Sequence, residues 1–389
     1  MSEFVFHTIP PVSPARCSRC LFEASRAAST TIVWKRCVMN PRNKKKAVQY
    51  QDTLSRDFYV PSNKTTHEFA HFDLYLVRVN EISKLHEGPI KVQAKCHVPK
   101  GDKSLFTTEL EEALIEGTVD LAVHSLKDVP TKLPENLCIG AILEREDPSD
   151  AVVFPIGSSL TSLAKLKAGA KIGTSSLRRI AQLRRKYKHL DFVSVRGNLN
   201  TRLDKLDNKK QYDALVLAVS GLRRLNMADR ISCILPSELC LYAVGQGALA
   251  VEIRRNDDVT QSVVQALNNR MTALRCLAER NFMMTLEGGC SVPLGVSSAL
   301  SESRILSLKG GVFAFAGEES IVEESKVTLT ICSQIRQQEM HVGILCPGLC
   351  ASEVNEAVAL GANLAQKLLQ KGAKELLEKA REDARQSIL

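Results

Sequence analysis

Four short stretches carry residue types and spacings that can do chemistry. The first is Thr174-Ser175-Ser176-Leu177-Arg178-Arg179. Small hydroxyl residues where a strand turns into a helix present backbone N–H groups and hydroxyls to an anion, and the helix dipole adds to the attraction. Two adjacent arginines add forked donors suited to carboxylates or phosphates. An N-cap followed by a solvated basic helix is the plainer reading, and both can hold. The second is Arg196-Gly197-Asn198 with Arg202, again just after a strand, and Arg224 follows a third strand in the same way. In open α/β sheets ligands gather at strand ends, and Gly197 permits close backbone approach. Three strand ends delivering arginines toward one crevice suit a polyanion. The basic residues Arg184, Arg185, Lys186, Lys188, Lys209 and Lys210 are read simply as solvated.

The third stretch, His124-Ser125-Leu126-Lys127-Asp128, places an ammonium and a carboxylate at a strand exit. Asp128 is placed to stabilise developing positive charge or shuttle a proton; a local Lys–Asp pair in a turn is the alternative. Lys127 has the amine for a Schiff base, but nothing in the sequence depresses its pKa. The fourth is Leu286-Glu287-Gly288-Gly289-Cys290-Ser291-Val292-Pro293. Two glycines expose the thiol on a turn, where a thiolate can be a covalent anchor, although an ordinary cysteine is a small buried hydrophobe.

The elements that must position these residues are legible from residue 101 onward. Leu105–Glu116 reads as a helix, Val119–His124 as a strand and Ala151–Phe154 as another. Lys171–Gly173 ends a strand, and a helix runs from Thr174-Ser175-Ser176 to about Lys186. Phe192–Val195 is a strand, Thr201–Leu206 a helix and Ala214–Val219 a strand. This alternation predicts α/β layers with parallel strands. Tyr242–Arg254 reads as extended with a bend at Gly245-Gln246-Gly247, and Val259 to about Thr285 as one long helix. Residues 304–346 read as strands, and Val354, Val358, Ala362, Ala365 and Leu368 as the stripe of an amphipathic helix. Residues 1–100 give a poor signal, with short strand candidates at Phe72–Val79 and Ile90–Ala94.

Composition narrows the function. The chain has 389 residues, 44% hydrophobic and 24% charged, which predicts two or three globular domains and excludes rods and mostly disordered chains. No apolar run is long enough to span a membrane. The net charge of +9 is concentrated in residues 1–50, where nine Lys/Arg face only Glu3 and Glu23. The remainder is nearly neutral, so bulk charge argues against a nucleic-acid partner. Twelve cysteines at this length do not resemble a secreted disulfide scaffold. Cys17 and Cys20 form a lone C-x-x-C, and no metal site is expected. The Arg- and Ser-rich residues 1–46 weakly suggest a transit peptide.

Taken together, Val119–Pro130, Gly173–Arg179, Val195–Arg202, Tyr242–Ala248 and Leu286–Pro293 closely resemble the porphobilinogen deaminase (hydroxymethylbilane synthase) family. The likeness runs from about Gly101 to the C-terminus, and the ending Gly372–Arg385 resembles animal members. It implies an α/β fold of three domains. Two resemble type II periplasmic binding proteins, and the third is a smaller α+β domain carrying Cys290. The corresponding boundaries are 101–145 with 245–268, 146–244 and 269–389, preceded by an atypical segment 1–100. The resemblance implies a transferase of heme biosynthesis in which four porphobilinogen units are joined, with loss of ammonia, onto a dipyrromethane cofactor held by a thioether to Cys290. It assigns Asp128 and Lys127 to catalysis. It assigns Ser125, Thr174, Ser175, Arg178, Arg179, Arg196, Gly197, Arg202 and Arg224 to cofactor and acid-arm contacts. A cytoplasmic monomer is implied, with a small-molecule substrate and neither nucleic acid nor membrane. The family's Arg-Ile-Gly-Thr-Arg-Lys-Ser-like motif is not found in residues 1–100. An inactive or regulatory variant, or a non-catalytic anion-binding protein, is therefore the alternative.

Overall fold

Short apolar runs closed by Gly, Pro or Ser become strands here, and longer stripes become helices. The computed structural model describes residues 34–36, 90–92, 110–286, 292–330, 339–346 and 348–388. The strand expected at 72–79, the helix residues 105–109 and the Gly288–Cys290 turn lie outside them. Two short strands, β1 (Trp34–Arg36) and β2 (Ile90–Val92), pair antiparallel. Helix α1, over 110–115, leads into β3 (Leu121–Ser125) and β4 (Leu137–Ile142). Then come β5 (Asp150–Val153), β6 (Lys171–Gly173), α2 (Leu177–Lys186), β7 (Asp191–Val193), α3 (Leu199–Asp207), β8 (Ala214–Ala218), α4 (Val219–Arg224) and β9 (Cys233–Leu235). The chain continues through β10 (Leu249–Arg254), α5 (Asp258–Val264), α6 (Arg270–Thr285), β11 (Leu294–Leu300), β12 (Ile305–Phe313) and β13 (Ser320–Thr328). It ends with β14 (Met340–His341), β15 (Ile344–Leu345), α7 (Ala351–Gln370) and α8 (Ala373–Ile388).

Three sheets organise these elements. The first runs β14-β15-β4-β10-β3, the second β7-β6-β8-β5-β9, and the third is the meander β11-β12-β13. Every residue of β3, β4, β5 and β8 is buried. Such near-continuous apolar strands belong to sheets covered on both faces. The first two sheets are mixed, which corrects the expectation of parallel strands. β6 runs parallel to β7 and β8, but β5 is antiparallel to β8 and β9. Likewise β10 is antiparallel to β3 and β4. Both exceptions adjoin the stretches where the chain passes between sheets, 143–149 outward and 242–248 back. The two passages touch: Leu143 N donates to Leu249 O (3.0 Å), and Glu146 N donates to Gly247 O (3.1 Å).

The long helix expected from Val259 to Thr285 is broken. Residues Gln265–Leu267 tighten into a 3-10 turn, and Asn269 caps a new helix by accepting from Thr272 N (2.9 Å). Asn268 Oδ1 accepts from Ile142 N, and Asn269 N donates to Ile142 O. The two asparagines thus trade helix continuity for bonds to β4, as short amides do at caps. A second correction concerns Arg184 and Arg185. Arg184 is half-buried beneath the β12–β13 connection, its Cζ 5.1 Å from the Phe315 ring centre. Arg185 stays exposed but bonds Ser320 and lies over Phe313. Lys186, Lys188, Lys209 and Lys210 are exposed, as read.

Helices α6 and α7 cover the meander, and their contact is close enough to require glycine. A Cβ on Gly361 would lie 2.1 Å from Ala278 O and 2.9 Å from Phe282 N. Replacing Gly361 by Ala sets about 1 kcal/mol of helix propensity against an overpacking cost of about 1–3 kcal/mol or more. The clash is with backbone that cannot rotate away, so overpacking wins. Gly361→Ala is expected to lower the urea midpoint of the chain; an unchanged or raised midpoint would refute this account of the α6–α7 contact.

Candidate active site

Asp150 opens β5 and is fully buried. Such a carboxylate needs counter-charge, and α2 supplies it from its first turn. Arg178 Nη1 donates to Asp150 Oδ2 (2.7 Å), while Arg179 donates to Oδ1 from Nε (3.0 Å) and Nη2 (2.7 Å). Gln246 Nε2, from the returning passage, also reaches Oδ1 (2.9 Å). Burial alone would push the Asp150 carboxyl up, but the two guanidiniums outweigh it and hold the group well below the usual carboxylate range. Arg178 bonds Leu241 O through the same Nη1 (2.6 Å), and its Nε and Nη2 make no bond among the described residues. Arg179 is engaged on all three nitrogens, the last by Val216 O (2.9 Å). The neighbouring Cys240 thiol is pushed up to about 12 by burial and by Asp150. It is a packing residue, not a nucleophile.

Ahead of these arginines the strand ends form a shelf of hydroxyls. Thr174 is buried and Ser175 is exposed. Ser175 Oγ donates to Val195 O (2.6 Å) and lies 2.9 Å from Ser194 Oγ. Parallel pairing of β6 with β7 places these groups side by side. Arg196 is exposed one residue beyond. Gly197 has φ +117°, and a Cβ there would lie 2.7 Å from Thr201 Cγ2. That turn is open only to glycine. It lets Asn198 cap α3 by accepting from Thr201 N (2.6 Å), and Gly197 O accepts from Arg202 Nε (2.8 Å).

On the first sheet, β3 ends at buried Ser125, and Leu126–Asp128 form a single 3-10 turn. Lys127 is half-buried and Asp128 exposed. Arg280, fully buried on α6, braces the far side of this turn. Its Nη1 donates to Val129 O (2.9 Å), and Nη2 donates to Pro130 O (2.7 Å) and Val342 O (2.7 Å). Beneath the turn, His124 Nε2 lies 2.8 Å from Glu252 Oε2 across β3 and β10, a charge approach without good hydrogen-bond angles. Nearby Glu111 is raised to about 6, first by burial, then by Glu252, against the pull of His124.

The two passages between sheets hold the rest. Arg145 forms a two-pronged pair with Glu279 (2.5 and 3.0 Å) and donates to Gln246 O (2.9 Å). Glu279 also accepts from Gly245 N (2.9 Å) and Ser298 Oγ (2.6 Å). Arg224 donates to Glu146 Oε1 (2.9 Å) and Gly247 O (2.8 Å).

The structure thus joins Arg178, Arg179 and Gln246 around Asp150, gathers Thr174, Ser175, Arg196, Gly197 and Arg202 at neighbouring strand ends, and presents Lys127 and Asp128 from the first sheet. Arg224 stands at the passages. Cys290 lies outside the described residues. Sequence reasoning missed Arg145, Glu146, Asp150, Gln246, Glu279 and Arg280. No local signal marks Asp150 or Glu279, which stand among other charged residues in Glu144–Asp150 and Arg275–Arg280.

A family model described as porphobilinogen deaminase, dipyromethane cofactor binding domain, matches residues 88–262. One described as the porphobilinogen deaminase C-terminal domain matches 273–370. The chain is 46% identical over 278 residues to the porphobilinogen deaminase of Synechococcus elongatus, across 72% of this chain and 78% of that protein. It is 41% identical over 316 residues to the porphobilinogen deaminase of Kluyveromyces lactis, across 80% and 88%. A likeness to the solved periplasmic VFT2 domain of Bordetella pertussis BvgS has a TM-score of 0.28 at 17% identity, over 41% of this chain and 66% of that one.

Removing Asp150 strands two buried guanidiniums. Asp150→Ala is expected to cost about 3–5 kcal/mol at neutral pH, read from urea unfolding. The sign with pH follows from the depressed carboxyl. The folded state binds fewer protons than the unfolded one, so the stabilisation is full above the unfolded value of about 4 and is lost as pH falls below it. Wild type should therefore lose more stability than Asp150→Ala between neutral and strongly acidic pH, and parallel curves would remove Asp150 from this role.

Proposed function

The chain belongs to the porphobilinogen deaminase family, and on that premise we propose how its own residues join porphobilinogen units into the linear tetrapyrrole hydroxymethylbilane with release of ammonia. It is a transferase of tetrapyrrole and heme biosynthesis. One observation carries the reading: both family matches, the cofactor-binding domain and the C-terminal domain, lie in order on this chain.

The donor set suits a group bearing acetate and propionate arms. Hydroxyls at Ser125, Thr174 and Ser175 and cations at Lys127, Arg178, Arg196, Arg202 and Arg224 surround strand ends of two sheets. Forked guanidiniums pair with carboxylates better than ammonium does. The fitting group is the dipyrromethane cofactor, which Cys290 would hold by a thioether and which supplies the pyrrole carbon onto which further units are joined. Arg178 keeps Nε and Nη2 for an acid arm, whereas Arg179 acts through Asp150 by fixing the clamp. Gly197 keeps the turn before α3 tight, so Arg196 and Arg202 leave it in a fixed relation. Lys127 orients a carboxylate of the substrate. Asp128 lies at an exposed turn where its charge stabilises the positive pyrrole N–H that develops as the amine leaves, and it moves the proton.

The proposed domains, 101–145 with 245–268, 146–244 and 269–389, divide the chain at the passages near 145 and 245. The hairpin β14–β15 ties the third to the first by pairing β15 with β4. This reading takes the enzyme as a cytoplasmic monomer acting on a small molecule, apart from nucleic acid and membrane. Among the described residues no helix is long and apolar enough to cross a membrane.

Neither family match includes residues 1–87, so the test is run on the entire chain. Intact mass spectrometry should show a dipyrromethane-sized increment that disappears in Cys290→Ser. Asp128→Asn should keep that increment and lower kcat by about 10²–10³. An unmodified wild-type chain, or normal turnover by Asp128→Asn, would overturn these assignments.

A further inference from the structure

Arg224 closes α4 with its guanidinium almost fully buried, and two of its partners differ in how far they can move. Gly247 O, which accepts from Nη2 (2.8 Å), is backbone in the returning passage. That passage is rigid there. Gly247 has φ +85°, and a Cβ on it would lie 2.5 Å from Glu146 O. The other partner, Glu146 Oε1 (2.9 Å from Nε), belongs to a side chain that is 33% exposed against 6% for Arg224. Glu146 N is fixed to Gly247 O, so its backbone stays while its carboxylate can rotate into water.

We propose that Glu146 is an internal counter-carboxylate that Arg224 exchanges for an acid arm of the incoming pyrrole. The inference rests on the acid-arm role of Arg224 given above. A buried guanidinium is costly without a counter-charge, and Glu146 supplies one within the chain. An arriving carboxylate meets like charge at the same nitrogen, and close like charges repel. Glu146 swings out because it is the partner with solvent access. No covalent bond changes; one ion pair replaces another. The consequence is a deliberate weakening of substrate binding at this arginine, which keeps each acid arm releasable as the chain lengthens. Water screens the pair from the Glu146 side, which is 33% exposed, so the handicap amounts to about two- to five-fold in affinity.

The test measures porphobilinogen binding by calorimetry on the full chain in a Cys290→Ser background, so that turnover is not required. Glu146→Gln and Glu146→Asp should both tighten Kd by about two- to five-fold. Asp147→Asn is the control for general charge. It removes an acid one residue along, 3.6 Å from Arg223, and should leave Kd unchanged. Thermal melts verify that each variant is folded, and the aspartate stands in if the glutamine does not fold. Unchanged or weaker binding by the Glu146 variants overturns the exchange, as does equal tightening by Asp147→Asn. Arg224→Gln separates the two levels. If it weakens binding while the Glu146 variants do not tighten it, the exchange alone falls. If it leaves Kd unchanged, or no variant binds at all, the acid-arm role of Arg224 falls with it.

Discussion

Two carboxylates inside the protein, Asp150 and Glu279, hold the arrangement together. Each sits where solvent cannot reach it, and each is kept ionised by arginines against the cost of burial. Their partners come from different parts of the chain: α2 and the returning passage for Asp150, the outgoing passage, β11 and the returning passage for Glu279. An uncompensated charge at either position would be far worse than an apolar substitute of the same shape. The pairs therefore specify which segments meet more than they add net stability. Gln246 links the two clusters directly, its amide on Asp150 and its carbonyl on Arg145.

That linkage explains why the passages are so narrow. Gly245 and Gly247 both have positive φ, with Leu126 and Glu146 where side chains would go. Bulk at either place would separate the strand that delivers Asp128 from the strand that delivers Arg178 and Arg179. Tyr242, at the start of the returning passage, ties the arrangement to the third sheet. Its backbone bridges Val296, its hydroxyl accepts from Ser298 N, and its ring lies under Arg145 at 4.9 Å. The hydroxyls and cations at the strand ends thus rest on a support that is itself made of acids and arginines. The difference lies in solvent access: the support is buried, while Ser175, Arg196 and Asp128 face water.

Much of this was legible in the sequence where local signals agree. The hydroxyl turn before α2, the Arg196-Gly197-Asn198 stretch after a strand and the apolar runs of β3, β5, β6 and β8 were readable because each is set by neighbours within a few residues. Strand β4 was missed because Leu137–Ile142 contains glycine and cysteine and lacks alternation, although β10 and β15 bury it on both edges. The broken helix at Asn268-Asn269 was missed because the stop signal is a bond to Ile142, more than a hundred residues away. Of the candidate site, the cations and hydroxyls at strand ends were legible by residue type. Their buried carriers were not, since Asp150 and Glu279 read as ordinary acids until a distant arginine is seen to face them. Arg184 was misread for the same reason, its ring partner Phe315 lying in the distant β12–β13 connection.

The deepest constraint runs through α6. Consecutive residues on it, Glu279 and Arg280, face two different places. Glu279 fixes the passages between the first two sheets, and Arg280 fixes the carbonyls directly after Asp128 together with the loop before β15. Helical geometry turns neighbours by about 100°, so one rigid helix can serve both without strain. Its other face is fixed by Gly361 of α7 and by Phe282, whose ring lies where a side chain on Gly310 of β12 would go. The helix ends at Thr285, and Cys290 follows five residues later. The same helix therefore positions both the Lys127-Asp128 turn and the passages. A displacement of α6 would disturb both at once, and the buried Ala273, Leu274, Cys276, Leu277, Ala278 and Phe282 resist it by packing the helix into the core.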